Sequence, residues 1–308
     1  MATLVLATQV LACLLAMPTG EPLKIVCTTG MVGDMVREIV GDKGQVTTLM
    51  GEGVDPHLYK ATVSDVRALS SADIVVANGL MLEGRMQEIF PKLRERGVTV
   101  IEVGAGIPEE ALLRPDGSGG HPDPHIWMDP TLWSKGAAHV AKQIGERDPA
   151  SADSYKSSAK SLAESWAKAD TKIAQAIETV PAPMRVLVTA HDAFSYFGRH
   201  YGVLVTGIQG VSTESESGLA DIRRIIDLLV ERKVPAVFVE TSVSDKNVRA
   251  LVEGSLARGH EVVIGGSLFS DAMGKPGTYE GTYVGMITTN AATIVKTLGG
   301  TPPEMPKP

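Results

Sequence analysis

The chain has 308 residues, of which 44% are hydrophobic and 21% are charged, and its formal net charge is -7. This length exceeds the size at which a single hydrophobic core usually stops growing, so two lobes are expected. The ordinary composition excludes a disordered chain, and the acidic balance provides no basic stripe for nucleic acid. We expect a globular protein that works as a monomer.

Residues 1–20 carry no charged side chain and are rich in Leu, Val and Ala. The segment is interrupted by polar residues and lacks a basic start, but its length favours an export signal over a membrane span. Cys13 ends a Val-Leu-Ala-Cys stretch that resembles a lipoprotein processing site, and an incidental cysteine is the alternative. Cys27 is most simply a buried strand residue. The protein is therefore predicted to act in the periplasm or extracytoplasmically, free or anchored by its signal or a lipid.

Short β-rich runs then alternate with helical patterns, which is typical of an α/β protein whose parallel sheets are flanked by helices. The strands predicted in the first half are 23–27, 46–50, 73–78 and 98–103, and the helices are 32–40, 62–70 and 82–96. The strands predicted in the second half are 185–189, 204–208, 236–240 and 261–264, and the helices are 193–201, 218–231, 245–257 and 281–298.

Residues 149–180 separate the two halves and contain no glycine and no internal proline. Apolar residues recur there at helical spacing, which predicts one amphipathic helix about 48 Å long. Asp148 is the predicted N-cap, with Pro149 at the first helical position. The sequence thus predicts two lobes, 21–148 and 181–298, which this stiff helix joins with limited hinge motion, and a disordered tail at 299–308.

Three histidines and one aspartate stand far apart in the sequence, but each follows a predicted strand or lies in a loop at a lobe edge. His57 follows the second strand, and His125 precedes a helix that Asp129 is expected to cap. His191 directly follows the strand at 185–189, and Asp271 follows the last strand. Ligand crevices of open α/β sheets lie beyond the carboxyl ends of their strands, so these side chains are expected to converge between the lobes.

Three neutral imidazoles and one carboxylate suit Zn²⁺, and they suit Mn²⁺ or Fe²⁺ if both carboxylate oxygens bind. Taken singly, each histidine is more simply an ordinary structural residue, but the four positions together favour a metal site. Asp55, Asp192 and Glu240 are candidates for orienting the imidazoles, with loop geometry and helix capping as the alternative explanation. Affinity is expected to fall at acidic pH, because protonated imidazole cannot bind a metal.

Five stretches carry a resemblance to a known family. They are Gly-Val-Asp-Pro-His-Leu-Tyr at 53–59, Asp-Pro-His-Ile-Trp-Met-Asp at 123–129, Val-Leu-Val-Thr-Ala-His-Asp-Ala-Phe at 186–194, Gly-Ile-Gln-Gly-Val-Ser-Thr at 207–213 and Leu-Phe-Ser-Asp-Ala-Met-Gly at 268–274. The sequence resembles the TroA-like zinc- and manganese-binding solute-binding proteins of ABC importers, the cluster A-I metal-binding family. The similarity runs from about residue 23 to residue 298.

The resemblance implies that His57, His125, His191 and Asp271 are metal ligands and that the partners are an ABC permease and its cytoplasmic ATPase. Zinc-dedicated relatives often have a long His-rich loop before the second histidine, whereas residues 107–124 of this chain contribute only His121. Manganese-dedicated relatives tend to have glutamate in place of His191, which favours zinc here.

The leading prediction is capture of a divalent transition metal and its delivery to the permease, and two other functions are alternatives. An exported zinc hydrolase would need an open coordination position and a nearby base, and the sequence offers no obvious base. A structural zinc site or a surface adhesin is a third reading, supported only by the potential lipidation site. The sequence therefore predicts a protein without catalytic residues.

Overall fold

The computed structural model describes residues 21–115, 118–214 and 217–305. The predicted signal at 1–20 and the last three residues of the predicted disordered tail lie outside these ranges. Strands and helices alternate along both halves of the described chain, as the sequence predicts. None of the helices in these ranges combines the length and the apolar character that crossing a bilayer requires.

A parallel sheet forms the core of the first half. In residues 21–115 its strands are β1 (Leu23–Cys27), β2 (Gly44–Thr48), β3 (Ile74–Ala77) and β4 (Thr99–Glu102), in the order β2-β1-β3-β4. The α-helices between them are α1 (Gly30–Val40), α2 (Val63–Ser71) and α3 (Phe90–Glu95). All residues of β3 are buried, as expected for a central strand with helices on both faces. Cys27 is buried and free, which confirms its predicted place in a strand.

The single helix predicted at 82–96 is wrong in its first half. Leu80 and Met81 have positive φ values, residues 84–89 form a 3₁₀ helix, and the α-helix begins only at Phe90. The cause is Glu83, whose buried carboxylate accepts hydrogen bonds from the backbone N–H groups of Asn78 and Gly79. These bonds hold the chain in a tight turn that a helix of the same apolar spacing cannot adopt.

Two long helices follow the first sheet in the chain. Helix α4 (Pro130–Arg147) begins as predicted, because the Asp129 carboxylate accepts hydrogen bonds from two N–H groups of its first turn. The predicted long helix divides into a 3₁₀ turn at 149–151 and helix α5 (Ala152–Glu178), whose 27 residues span about 40 Å. Helix α5 packs on α1 and α4, which precede it in the chain, and on the C-terminal helix.

The second half contains two parallel strand pairs that lie side by side. Its elements are β5 (Val186–His191), α6 (Ser195–Tyr201), β6 (Leu204–Gln209), α7 (Leu219–Arg232), β7 (Ala236–Glu240), α8 (Lys246–Leu256), β8 (Val263–Leu268) and α9 (Tyr283–Thr297). Strand β5 pairs with β6 and β7 with β8, and β5 contacts β7. Strand β8 runs through Gly265 and Gly266, beyond its predicted end. The two glycines let the strand lie close to α9, because a Cβ on either residue would collide with a threonine of that helix.

A charged cluster ties α5 to both halves. The His200 ring at the end of α6 lies 2.8 Å from Asp170 of α5 and 3.4 Å from Asp129, the N-cap of α4. These two carboxylates raise the pKa of His200 to about 9. The folded pKa therefore lies above the unfolded value of about 6.5, so this contribution to stability is complete below that value and is lost as the pH rises through 9.

We expect His200→Asn to lower the free energy of unfolding by about 1–3 kcal/mol at pH 6, because charge-assisted hydrogen bonds to two carboxylates are lost. The loss should shrink at pH 10, where the native ring is already neutral. Urea unfolding of both proteins at the two pH values measures the difference. An equal loss at both pH values would show that His200 contributes through packing alone.

Candidate metal centre

The four predicted ligand residues come together between the two halves of the chain. His57 lies in the turn after β2, His125 precedes a short 3₁₀ turn, His191 is the last residue of β5, and Asp271 follows β8 by three residues. One ligand atom from each residue lies within 4.8 Å of all the others. Three of the residues are at most 2% exposed and His57 is 4% exposed, so the cluster is almost fully buried.

The distances between the ligand atoms fit one small cation. The Nε2 atom of His125 lies 3.4 Å from that of His57 and 3.3 Å from that of His191. The Asp271 oxygens lie 3.2 Å from the Nε2 atoms of His125 and His191, and 3.9 Å from that of His57. Donors around a tetrahedral zinc ion lie about 3.3 Å from one another, which nearly all of these separations match.

Asp271 has the bonding deficit of a metal ligand. Both of its carboxylate oxygens are buried, and no hydrogen bond from the described residues satisfies them. An imidazole nitrogen of each of the three histidines lies within 3.9 Å of one of its oxygens. A buried carboxylate without donors is costly unless a cation or a positively charged ring compensates it. The site is therefore incomplete without positive charge at its centre.

Carboxylates orient two of the three imidazoles from behind. The Asp123 carboxylate accepts a hydrogen bond of 2.7 Å from Nδ1 of His125, and the Glu240 carboxylate lies 2.5 Å from Nδ1 of His191. A carboxylate on Nδ1 fixes a proton there, so in the neutral ring the lone pair of Nε2 faces the centre. Each carboxylate also accepts a hydrogen bond from the backbone N–H group of the same histidine. Among the described residues, no comparable carboxylate contacts Nδ1 of His57.

The other two residues singled out from the sequence, Asp55 and Asp192, accept hydrogen bonds close to the site. Asp55 accepts a hydrogen bond from the His57 backbone N–H group at 2.9 Å. Asp192 accepts one from the hydroxyl group of Ser195 and holds the start of α6. Asp123 was not predicted, although a signal was present: Asp-Pro-His occurs at both 55–57 and 123–125, and in both the Asp side chain accepts from the His N–H group.

The charges of the site are strongly coupled. Burial lowers the pKa of His57 to about 3, whereas two carboxylates overcome burial at His125 and raise its pKa to about 9. Against its burial, Glu240 and Asp271 hold the pKa of His191 well above its usual range. The rings hold the pKa of Asp271 well below its usual range, also against burial. An entering metal ion would displace protons from His125 and His191, so its binding would weaken as the pH falls.

A cleft of about 1100 Å³ leads from the surface to this cluster. His57 lines its inner end, and Tyr59, Met81, His121 and Glu214 are among the residues that line its walls. Of the four clustered side chains, His57 is the one that reaches this cleft. The arrangement allows a small ion to be bound and released, and it leaves a closed centre with no space for a larger substrate.

Comparisons with known proteins give a consistent picture. The family model "Zinc-uptake complex component A periplasmic" (ZnuA) matches residues 25–297. The chain is 45% identical over 278 residues to the manganese-binding lipoprotein MntA of Bacillus subtilis, covering 90% of each protein. It is 44% identical over 279 residues to the zinc-binding protein TroA of Treponema pallidum, covering 91% of this chain and 89% of that protein.

The structure is also similar to solved structures. It superposes on the periplasmic zinc-binding protein TroA from Treponema pallidum with a TM-score of 0.86, covering 90% of this chain and 99% of that one. That likeness confirms the predicted two-lobed α/β fold with a long connecting helix.

Proposed function

This chain belongs to the ZnuA family of periplasmic zinc-uptake components, and we propose that it captures zinc with His57, His125, His191 and Asp271. It is a metal-binding solute-binding protein of an ABC importer and not an enzyme. It acts outside the cytoplasm and hands its metal to a membrane permease that works with an ATPase. The metal ion is thus the transported substrate.

One observation carries the ligand assignment. Three imidazole nitrogens and a carboxylate that no hydrogen bond from the described residues satisfies converge at separations of 3.2–3.4 Å for most pairs. Four protein ligands close a tetrahedral zinc site, whereas catalysis of hydrolysis requires an open position. The hydrolase alternative therefore receives no support.

The choice of zinc rests on the donor set. Imidazole nitrogens are softer donors than the carboxylate and carbonyl oxygens that suit manganese, so three histidines and one aspartate favour zinc. One relative of this chain is named as a manganese-binding protein and another as a zinc-binding protein, so membership of the family does not determine the metal. The sequence feature in favour of zinc is His191, at the position where manganese-dedicated relatives tend to have glutamate.

We also propose that the lobes are residues 21–148 and 181–298, with 149–180 as the connector. The supporting observation is the packing of α5 against α1 and α4 of the first half and against α9 of the second. A stiff helix that contacts both lobes restricts their relative motion to small displacements.

Metal analysis and transport together test this function. Protein purified from its own host without added metal should contain about one zinc ion per chain. Deletion of the gene in that host should reduce zinc accumulation at low supply, and added zinc should restore growth. Manganese in place of zinc would contradict the metal assignment, and normal uptake of both metals would contradict the transport role.

A further inference from the structure

The two Asp-Pro-His turns hold their histidines in different ways. Asp123 uses one oxygen for both the N–H group and the ring of His125. The Oδ1 atom of Asp55 accepts a hydrogen bond from the N–H group of His57, and its Oδ2 atom accepts one of 2.6 Å from the hydroxyl group of Thr213. Thr213 lies in the loop after β6, in the opposite lobe. The turn that carries His57 is therefore bonded across the cleft.

The rest of this turn packs tightly against its own lobe and lies near the second lobe. Gly53 has a φ of +69°, and a Cβ there would lie 3.5 Å from the carbonyl oxygen of Thr241 in the second lobe. A Cβ on Gly84 would lie only 2.7 Å from the carbonyl oxygen of His57. The turn thus lies between residues of its own lobe and residues of the second lobe. Its side-chain hydrogen bond to the second lobe is the one that Asp55 accepts from Thr213.

The segment that carries His125 is attached to the second lobe far more deeply. The Trp127 indole donates to the carbonyl oxygen of Ser270 at 3.0 Å, and the Tyr196 hydroxyl donates to that of Asp123 at 2.9 Å. Both bonds are buried, whereas the bond between Asp55 and Thr213 is half-buried. Breaking a buried hydrogen bond leaves polar groups unsatisfied, but water can replace a half-buried one. The hydrogen bond between the His57 turn and the second lobe is therefore the one that costs less to break.

We propose that Thr213 is a positioning residue that, through Asp55, holds the His57 turn closed over the bound metal and thereby sets the rate of metal release. Release begins when the hydroxyl leaves the Asp55 carboxylate and the turn moves outward with His57, while His125 and His191 keep their carboxylate partners. The inference rests on the proposed metal-binding function and adds to it the residue that controls release.

Thr213→Val tests this directly, because it removes the hydroxyl group and keeps the shape of the side chain. Zinc-loaded protein is mixed with an excess of a chromogenic chelator, and the rate of zinc transfer is recorded. We expect release about ten-fold faster than from the unaltered protein, as for the loss of one charge-assisted hydrogen bond. Thr213→Ser should restore the original rate, and Asp55→Asn should give an intermediate rate because its acceptor is neutral.

Two measurements separate this role from general damage. Zinc content should remain about one ion per chain, and X-ray absorption should report the same set of nitrogen and oxygen donors in every variant. Thr171→Val is the matched control, because that hydroxyl donates to a carbonyl oxygen on the outer face of α5. It should release zinc at the original rate.

The possible outcomes separate a failure of this inference from a failure of the proposed metal-binding function. Unaltered protein that binds no metal would contradict both. Protein that binds zinc normally, but whose Thr213→Val variant releases it at the unaltered rate, would contradict the role of Thr213 alone. A Thr213→Val variant with a changed donor set would also contradict it, because the residue would then shape the bound site rather than its opening.

Discussion

His191→Ala is expected to lower the affinity for zinc by more than about 100-fold, because loss of a residue that merely orients a ligand already costs 10–100-fold. The substitution removes one of four donors and leaves the buried Glu240 carboxylate without the ring that it contacts at 2.5 Å. Competition with a chelator of known zinc affinity measures the change in protein first stripped of metal. The same titration reports the stoichiometry.

His121→Ala is the matched control for that result. His121 is exposed and lines the cleft that leads to the cluster, so it lies near the site without belonging to it. Its removal should leave zinc affinity and stoichiometry unchanged. Stoichiometric zinc binding of undiminished affinity in His191→Ala would refute the four-residue assignment, and a loss in His121→Ala would extend the site into the cleft.

Elements with a strong local cause were predictable from the sequence. The apolar, β-branched run of β3 is buried along its whole length, and the Asp129-Pro130 pair begins α4 as its residue types require. The order of strands and helices in both halves follows from the same signals. The four candidate ligands could be brought together on the principle that crevices lie at the carboxyl edge of parallel strands.

The features that sequence reasoning missed depend on partners that are distant in the chain or on buried polar bonds. The helix expected at 82–96 has the correct apolar spacing, but periodicity cannot reveal that Glu83 turns its carboxylate back onto two backbone N–H groups. Likewise, the two Asp-Pro-His turns share their sequence but differ in the second partner of the aspartate. That partner is a ring in one turn and a threonine from the other lobe in the second, and neither choice is encoded locally.

Replacing an imidazole by a carboxylate should move the preference of the site toward manganese. His191→Glu alone would place a second carboxylate against Glu240, which lies 2.5 Å from the native ring, and the two negative charges would repel each other. We therefore expect the cleanest result from the double variant His191→Glu/Glu240→Gln, in which the amide can donate a hydrogen bond to the new carboxylate. Its ratio of zinc to manganese affinity should fall at least about ten-fold, because oxygen donors suit manganese better than imidazole does.

Glu240→Gln alone is the control that separates donor type from the loss of an orienting contact. It removes the carboxylate that orients His191, so its zinc affinity should fall by about 10–100-fold, as for other such partners. It keeps all three imidazoles, so its manganese affinity should not rise. Competition titrations with both metals on the unaltered protein, Glu240→Gln and the double variant measure the ratios of zinc to manganese affinity. If the double variant loses zinc and manganese affinity in equal proportion, the donor at position 191 does not set the metal preference. Selectivity would then have to come from the size and rigidity of the closed cage rather than from the chemistry of its donors.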